Sequence, residues 1–199
     1  MPFAHITQRV LFHQEHPGVD VRLRVVGNRE ALVTMMQVGE ADLSVMGRPP
    51  RELATRAETF AGHPLVALGH APVSALEGYP FLVREHGSGT RNAMERFFTE
   101  HRFTPWITME MSSNETLKQA VMAGLGLSFL SLHTMGLEVR NGLLRVLDIQ
   151  GTPVMRMWNV VHLQSRVLSP AAEAFRYFIL ERGEAHLHAH DAALLGGVV

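Results

Sequence analysis

Cysteine does not occur anywhere in the 199 residues. That excludes disulfides, thiolate zinc sites and iron–sulfur clusters, and it fits a chain that works in a reducing compartment. No apolar run approaches the roughly 20 residues that a membrane span needs. The start lacks the basic-then-apolar pattern of a signal peptide, so a cytoplasmic location away from membranes is expected. An excess of either charge is missing too: 18 Lys and Arg stand against 19 Asp and Glu, for a net charge of −1. Such a chain has no general attraction for nucleic acid and is not a stand-alone DNA binder on electrostatic grounds. Enzyme signatures fail as well. Gly87-Ser88-Gly89 is not a nucleophile elbow, because His86 and Thr90 stand where its outer glycines belong. Neither it nor Gly124-Leu125-Gly126 completes G-x-G-x-x-G, since Asn92 and Phe129 fill the last place, and no Walker sequence exists.

What is there is ordinary globular material, 46% hydrophobic and 19% charged, long enough for a substantial core in one or two domains. The chain is organised around residues 81–98. Phe81 to Val83 reads as a buried strand, Gly87-Ser88-Gly89-Thr90 as a turn, and Ala93, Met94, Phe97 and Phe98 as one face of a helix. Ser88 or Thr90 suits the helix cap, and the glycines let backbone approach a ligand. The unpaired N–H groups of the first turn and the positive end of the helix dipole favour an anion, with Arg84 and Arg91 beside them.

Taken in order, residues 4–15 read as a helix ending at His16-Pro17-Gly18. Val19 to Val26 alternates as a strand, residues 30–38 form a helix stopped by Gly39, and Leu43 to Met46 is the next strand. That sequence predicts a parallel βαβ unit. Residues 51–64 look irregular, Leu65 to Leu68 is a short strand, and Gly69-His70-Ala71-Pro72 is a place to leave one lobe for another. Trp106 to Met111 reads as a strand. Ser112 and Glu115 then have capping-box spacing before a helix that runs to Gly124, and Leu127 to Leu132 is an apolar strand, a second βαβ-like unit. Met155 to Leu163 is a strand long enough to cross back. Ser169-Pro170 then caps a helix closed by Gly183, with a loosely held tail from Glu184. Four turns at strand ends supply ligand chemistry: Gly27-Asn28-Arg29, Gly47-Arg48-Pro49, Glu85 to Arg91, and Ser112 to Glu115. Their Asn, Ser, Thr and Arg suit carboxylate or phosphate.

The motifs GNRE (27–30), GEADL (39–43), MGRPP (46–50), FLVRE-x-GSGTR (81–91) and AVMAGLGL (120–127) stand in this order. Together they resemble the effector-binding region of LysR-type transcriptional regulators, most of all those of RuBisCO and Calvin-cycle operons. The resemblance implies an α/β, periplasmic-binding-protein-like fold of two Rossmann-like subdomains joined by two crossover strands. It places subdomain I at residues 1–68 plus 163–199 and subdomain II at 78–155. It implies a site without catalysis between them, built from Asn28, Arg48, Glu85, Ser88, Gly89, Thr90, Arg91 and Asn114. The effector would be a small anionic metabolite such as a phosphorylated sugar, phosphoenolpyruvate or NADPH, with no resident cofactor or metal. Homodimers or homotetramers are implied, with DNA and RNA polymerase engaged only through the full-length protein. The family's N-terminal DNA-binding domain is not in this chain. The central strand that the family has before Pro2 is also missing from this chain, so unpaired edges are expected in the first sheet.

Blander readings stand beside these. The GSGTR turn is a helix cap whatever else it does, Arg48 suits a solvated loop, Asn28 suits a turn with positive φ, and Ser112, Asn114 and Glu115 suit a capping box. His186, His188 and His190 would line one side of an extended tail, but a tail lacks the surrounding partners a metal site needs. Met109, Met111, Met155 and Met157 sit at strand spacing and read as packing. The rival functions are a periplasmic-type anion or solute receptor and, further off, a serine hydrolase using Ser88.

Overall fold

The computed structural model describes backbone over residues 2–26, 29–69 and 76–195, and side chains over 9–26, 29–67 and 76–189. The chain divides into two compact units, Met1–Gly62 with Met157–His190, and His63–Arg156 with Asp191–Val199. Two long strands, β2 (Thr55–Gly69) and β7 (Val154–Leu163), carry the chain from one to the other.

In the first unit, α1 (Pro2–Glu15) buries Phe12 completely, with its ring edge-on to Phe175 and Phe178 at 4.9 and 5.4 Å. The helix α2 (Arg29–Gln37) turns Val33 and Met36 inward. It ends where expected: Gly39 takes φ +76°, and the Glu40 N–H returns to the Met35 carbonyl at 2.9 Å. The strand β1 (Ser44–Met46) pairs antiparallel with β7, Val45 opposite Val160. The parallel βαβ unit expected here therefore does not form. Residues 19–26 run without helix or ladder, with Val25 72% exposed. Strict alternation says which side chains share a face. It cannot supply the neighbouring backbone that makes a strand.

Residues 51–64 are not irregular, since β2 begins at Thr55. Its first half hides from a hydrophobicity reading because its polar side chains have partners. Glu58 takes ion pairs from Arg56 and Arg176, and the Thr59 hydroxyl donates to Asn159 Oδ1 at 2.8 Å. The last helix, α6 (Pro170–Leu195), starts as predicted. The Ser169 hydroxyl accepts from the Ala172 N–H at 3.2 Å. It does not stop at Gly183. A helical glycine costs about 1 kcal/mol, and burying Leu187 against Phe60, Ala61, Val160 and Ile179 offsets that with about 1.5–3 kcal/mol. Residues 184–189 are therefore docked rather than loose. Helical geometry also separates His186 from His188, which an extended tail would align.

The second unit is built on β3 (Pro80–Arg84), whose Phe81, Leu82 and Val83 are buried. It runs parallel to β4 (Trp106–Met111), with α3 (Gly89–Glu100) as the crossover. On its other side β3 meets Leu127: the Leu127 N–H donates to the Pro80 carbonyl and the Leu82 N–H to the Leu127 carbonyl, both at 2.8 Å. A Cβ at Gly126 would stand 2.3 Å from the Pro80 oxygen, so the approach needs glycine. The helix α4 (Asn114–Met122) then leads to β5 (Ser128–Ser131), which lies antiparallel to β2, Leu65 opposite Ser131. A 3-10 turn (Leu132–Thr134), α5 (Gly136–Arg140) and β6 (Arg145–Val146) follow. Phe81, Met94, Phe97, Phe98, Leu127 and Phe129 form one packed cluster, as the helical spacing predicted. The methionines depart from expectation. Met109, Met155 and Met157 are 43%, 60% and 46% exposed, because β4 and the start of β7 present those positions to solvent.

Candidate functional site

Because β3 and β4 are parallel neighbours, the turns that follow them lie side by side in the second unit. After β3 the chain reverses through Gly87 at φ +82°, where the Ser88 N–H donates to the Glu85 carbonyl at 3.1 Å. Helix α3 then begins. The Ser88 carbonyl accepts its first bond, from Asn92, at 3.0 Å. By helix geometry the N–H groups of Gly89, Thr90 and Arg91 have no carbonyl one turn back, so they face outward with the positive end of the dipole. Ser88 is the N-cap residue, yet its side chain makes no capping bond although it is only 6% exposed.

Both turns are held by Arg84. Its guanidinium donates to Glu85 at 2.7 and 2.8 Å, to the Ser112 carbonyl at 3.1 Å, and to Asn114 Oδ1. The capping box expected at Ser112 is displaced by one residue. Ser113 is the cap of α4, accepting from the Thr116 N–H at 3.4 Å, because Ser112 spends its carbonyl on Arg84. Arg91 is turned inward and 6% exposed. It pairs with Glu95 and Glu110 and donates to the Arg84 carbonyl at 3.2 Å. The structure thus brings Glu85, Ser88, Gly89, Thr90, Arg91 and Asn114 together, with Arg84 and Arg91 engaged by carboxylates. Arg48 is an exposed residue of the first unit, in the turn after β1 that Arg29 braces through Glu52 and the Pro49 carbonyl. Asn28 lies outside the described residues.

Sequence reasoning missed Arg156. It sits near the start of β7, and its Nη2 lies 2.8 Å from where a Cβ of Gly89 would be, so the guanidinium rests on the first residue of α3. Beneath it, His63 of β2 is 2% exposed and stacked at 5.8 Å on His133. Burial, then the charges of Arg156 and His133, hold its pKa down at about 2, so His63 is a neutral group at the site. The only sequence signal for Arg156 was a cation alternating with methionines on a strand. Ser88 makes no hydrogen bond to a histidine among the described residues, so the pair a serine nucleophile needs is not formed. A depression of about 500 Å³ lies elsewhere on α3, against Arg96, Glu100, His101 and Met155. Its lining includes neither Ser88 nor the first residues of α3.

Residues 5–184 match the family model described as LysR substrate binding domain. The chain is 47% identical over 192 residues to the HTH-type transcriptional regulator CfxR of Cupriavidus necator, covering 92% of this chain and 60% of that protein. It is 45% identical over 188 residues to the RuBisCO operon transcriptional regulator of Allochromatium vinosum, covering 89% and 62%. Among solved structures, the regulatory domain of Synechocystis PCC6803 CcmR in complex with 2-PG superposes with a TM-score of 0.78 at 32% identity, covering 96% of this chain and 90% of that one. The chain therefore spans about 60% of the length of these curated relatives. The fold is α/β and periplasmic-binding-protein-like.

Proposed function

Because the chain belongs to the LysR substrate-binding domain family, we propose that it is the effector-sensing part of a regulator of carbon-fixation genes. Its ligand is a small anionic, phosphorylated metabolite, gripped at the start of α3. The observation that carries this reading is the turn itself: three outward amides, an N-cap serine whose side chain makes no capping bond, and a guanidinium resting on the first helical residue. Ser88, Gly89 and Thr90 make the direct contacts. Arg91, Glu85 and Asn114 brace them through Arg84. Asn28 and Arg48 stay proposed as ligand-binding residues on the sequence motifs that carry them. The 2-PG bound by the cyanobacterial neighbour is the same class of compound and supports the choice.

In the full-length protein the effector acts by favouring one arrangement of subunits over another on DNA, which requires different affinities for the two. Homodimers or tetramers, operator DNA and RNA polymerase are its partners there, in the cytoplasm. The test is calorimetric titration of the chain with ribulose bisphosphate, phosphoenolpyruvate, NADPH and 2-phosphoglycolate. Saturable binding of at least one, weakened by Ser88→Ala, is the expected result. A well-folded protein that binds none would sink the reading.

A further inference from the structure

We propose that Ser131, at the end of β5, is a ligand-contacting residue of the second unit, its hydroxyl donating to the anion held at the start of α3. The inference rests on the anion-binding reading above and adds to it a contact from another strand. Ser131 is 4% exposed, and its hydroxyl has no hydrogen-bond partner among the described residues. A hydroxyl buried in that state costs stability, and a ligand that accepts its proton would recover the cost.

Register and packing say which way the side chain points. The chain entering β5 runs parallel to β3, through the bridge between Phe81 and Leu127, and α3 returns antiparallel to both as the crossover from β3 to β4. Phe129 of β5 packs on the far part of α3, its ring centroid 5.3 Å from those of Phe97 and Phe98. Ser131 shares that face and stands roughly 7 Å further along the strand, on the way to the start of the helix. The neighbouring strand agrees. Ala67, opposite Phe129, belongs to the same apolar cluster, so Leu65, opposite Ser131, and His63 before it also face α3. His63 in turn lies beneath the Arg156 side chain that rests on Gly89. Ser131 therefore joins the polar groups under the first turn of α3. Ser128 provides the contrast. It is fully buried and its hydroxyl also lacks a partner among the described residues, but it shares the opposite face with Leu130, which packs with Val66, Leu117 and Val121.

The experiment is calorimetric titration of the whole chain with 2-phosphoglycolate and, separately, with inorganic phosphate, beside urea denaturation of each unliganded variant. Ser131→Ala is expected to weaken binding about tenfold, the usual loss for a hydrogen bond to a charged group. Its urea midpoint should equal or exceed that of the wild type, because the hydroxyl removed has no partner in the free protein. Ser128→Ala should likewise keep its midpoint and bind as the wild type does. Equal binding by wild type and Ser131→Ala overturns the assignment and leaves the sensor reading standing. A Ser131→Ala protein that is unfolded, or whose midpoint falls, also overturns it, since the hydroxyl would then serve the fold. So does a loss of affinity in Ser128→Ala as large as in Ser131→Ala, which would trace the effect to the sheet rather than to a contact. A wild-type protein that binds neither probe overturns this assignment and the sensor reading together.

Discussion

Single side chains in the second unit have roles that can be separated by substitution. Ser113 caps α4 while its neighbour Ser112 does not. Ser113→Ala is therefore expected to cost about 1 kcal/mol, and Ser112→Ala well under half of that, in urea denaturation of the two variants. Gly126→Ala forces a methyl against the backbone oxygen of Pro80 rather than against a movable side chain. A loss of about 2 kcal/mol or more is expected, seen as a melting temperature lower by roughly 4–8 °C. His63 gives a pH signature. Its folded pKa, about 2, lies below its ordinary 6.5, so below pH 6.5 the unfolded chain takes up a proton that the folded chain refuses. The stability due to its neutral burial is complete above pH 6.5 and is lost as pH falls toward 2, by about 1.4 kcal/mol per pH unit. In His63→Gln that part of the slope should vanish, and urea midpoints at pH 7, 6 and 5 for both proteins measure it. Equal slopes would show that the imidazole titrates normally.

At the scale of helices and strands, what could be read from the sequence was whatever depends on neighbours along the chain. Gly39 stops α2, Ser169 caps α6, and the four apolar residues of α3 face the core, because each is set by spacing of a few residues. What could not be read depends on the partner across space. The alternating segment 19–26 finds no ladder, while the polar half of β2 does, through Glu58, Arg176, Thr59 and Asn159. The site follows the same division. The turn 87–91 was legible as a local motif. The folding-back of Glu85, Glu95 and Glu110 onto its arginines, and the arrival of Arg156 from β7, were not. The second half of α6 is the strongest case, since a glycine read as a stop is overruled by a buried leucine four residues later. Leu187→Ala should accordingly cost about 2–4 kcal/mol rather than the few tenths expected for a frayed end, as chemical denaturation would show.

For the molecule as a whole, a ligand that binds only folded protein must raise its stability. At a concentration one hundred times the dissociation constant the gain is about 2.7 kcal/mol, equivalent to a melting temperature higher by roughly 5–10 °C for a chain of this size. A thermal melt across increasing 2-phosphoglycolate should follow that curve, and Ser88→Ala should shift it to higher concentration. The way the chain is threaded also sets an order of events. His63–Arg156 is one continuous stretch, whereas the other unit draws on residues from both sides of it. Ile179 and Leu187, which close that other core, lie in the final helix. During translation the inserted stretch leaves the ribosome with its β-strands and helices in hand and can settle first. The opening residues must wait, half-made, until α6 has been read.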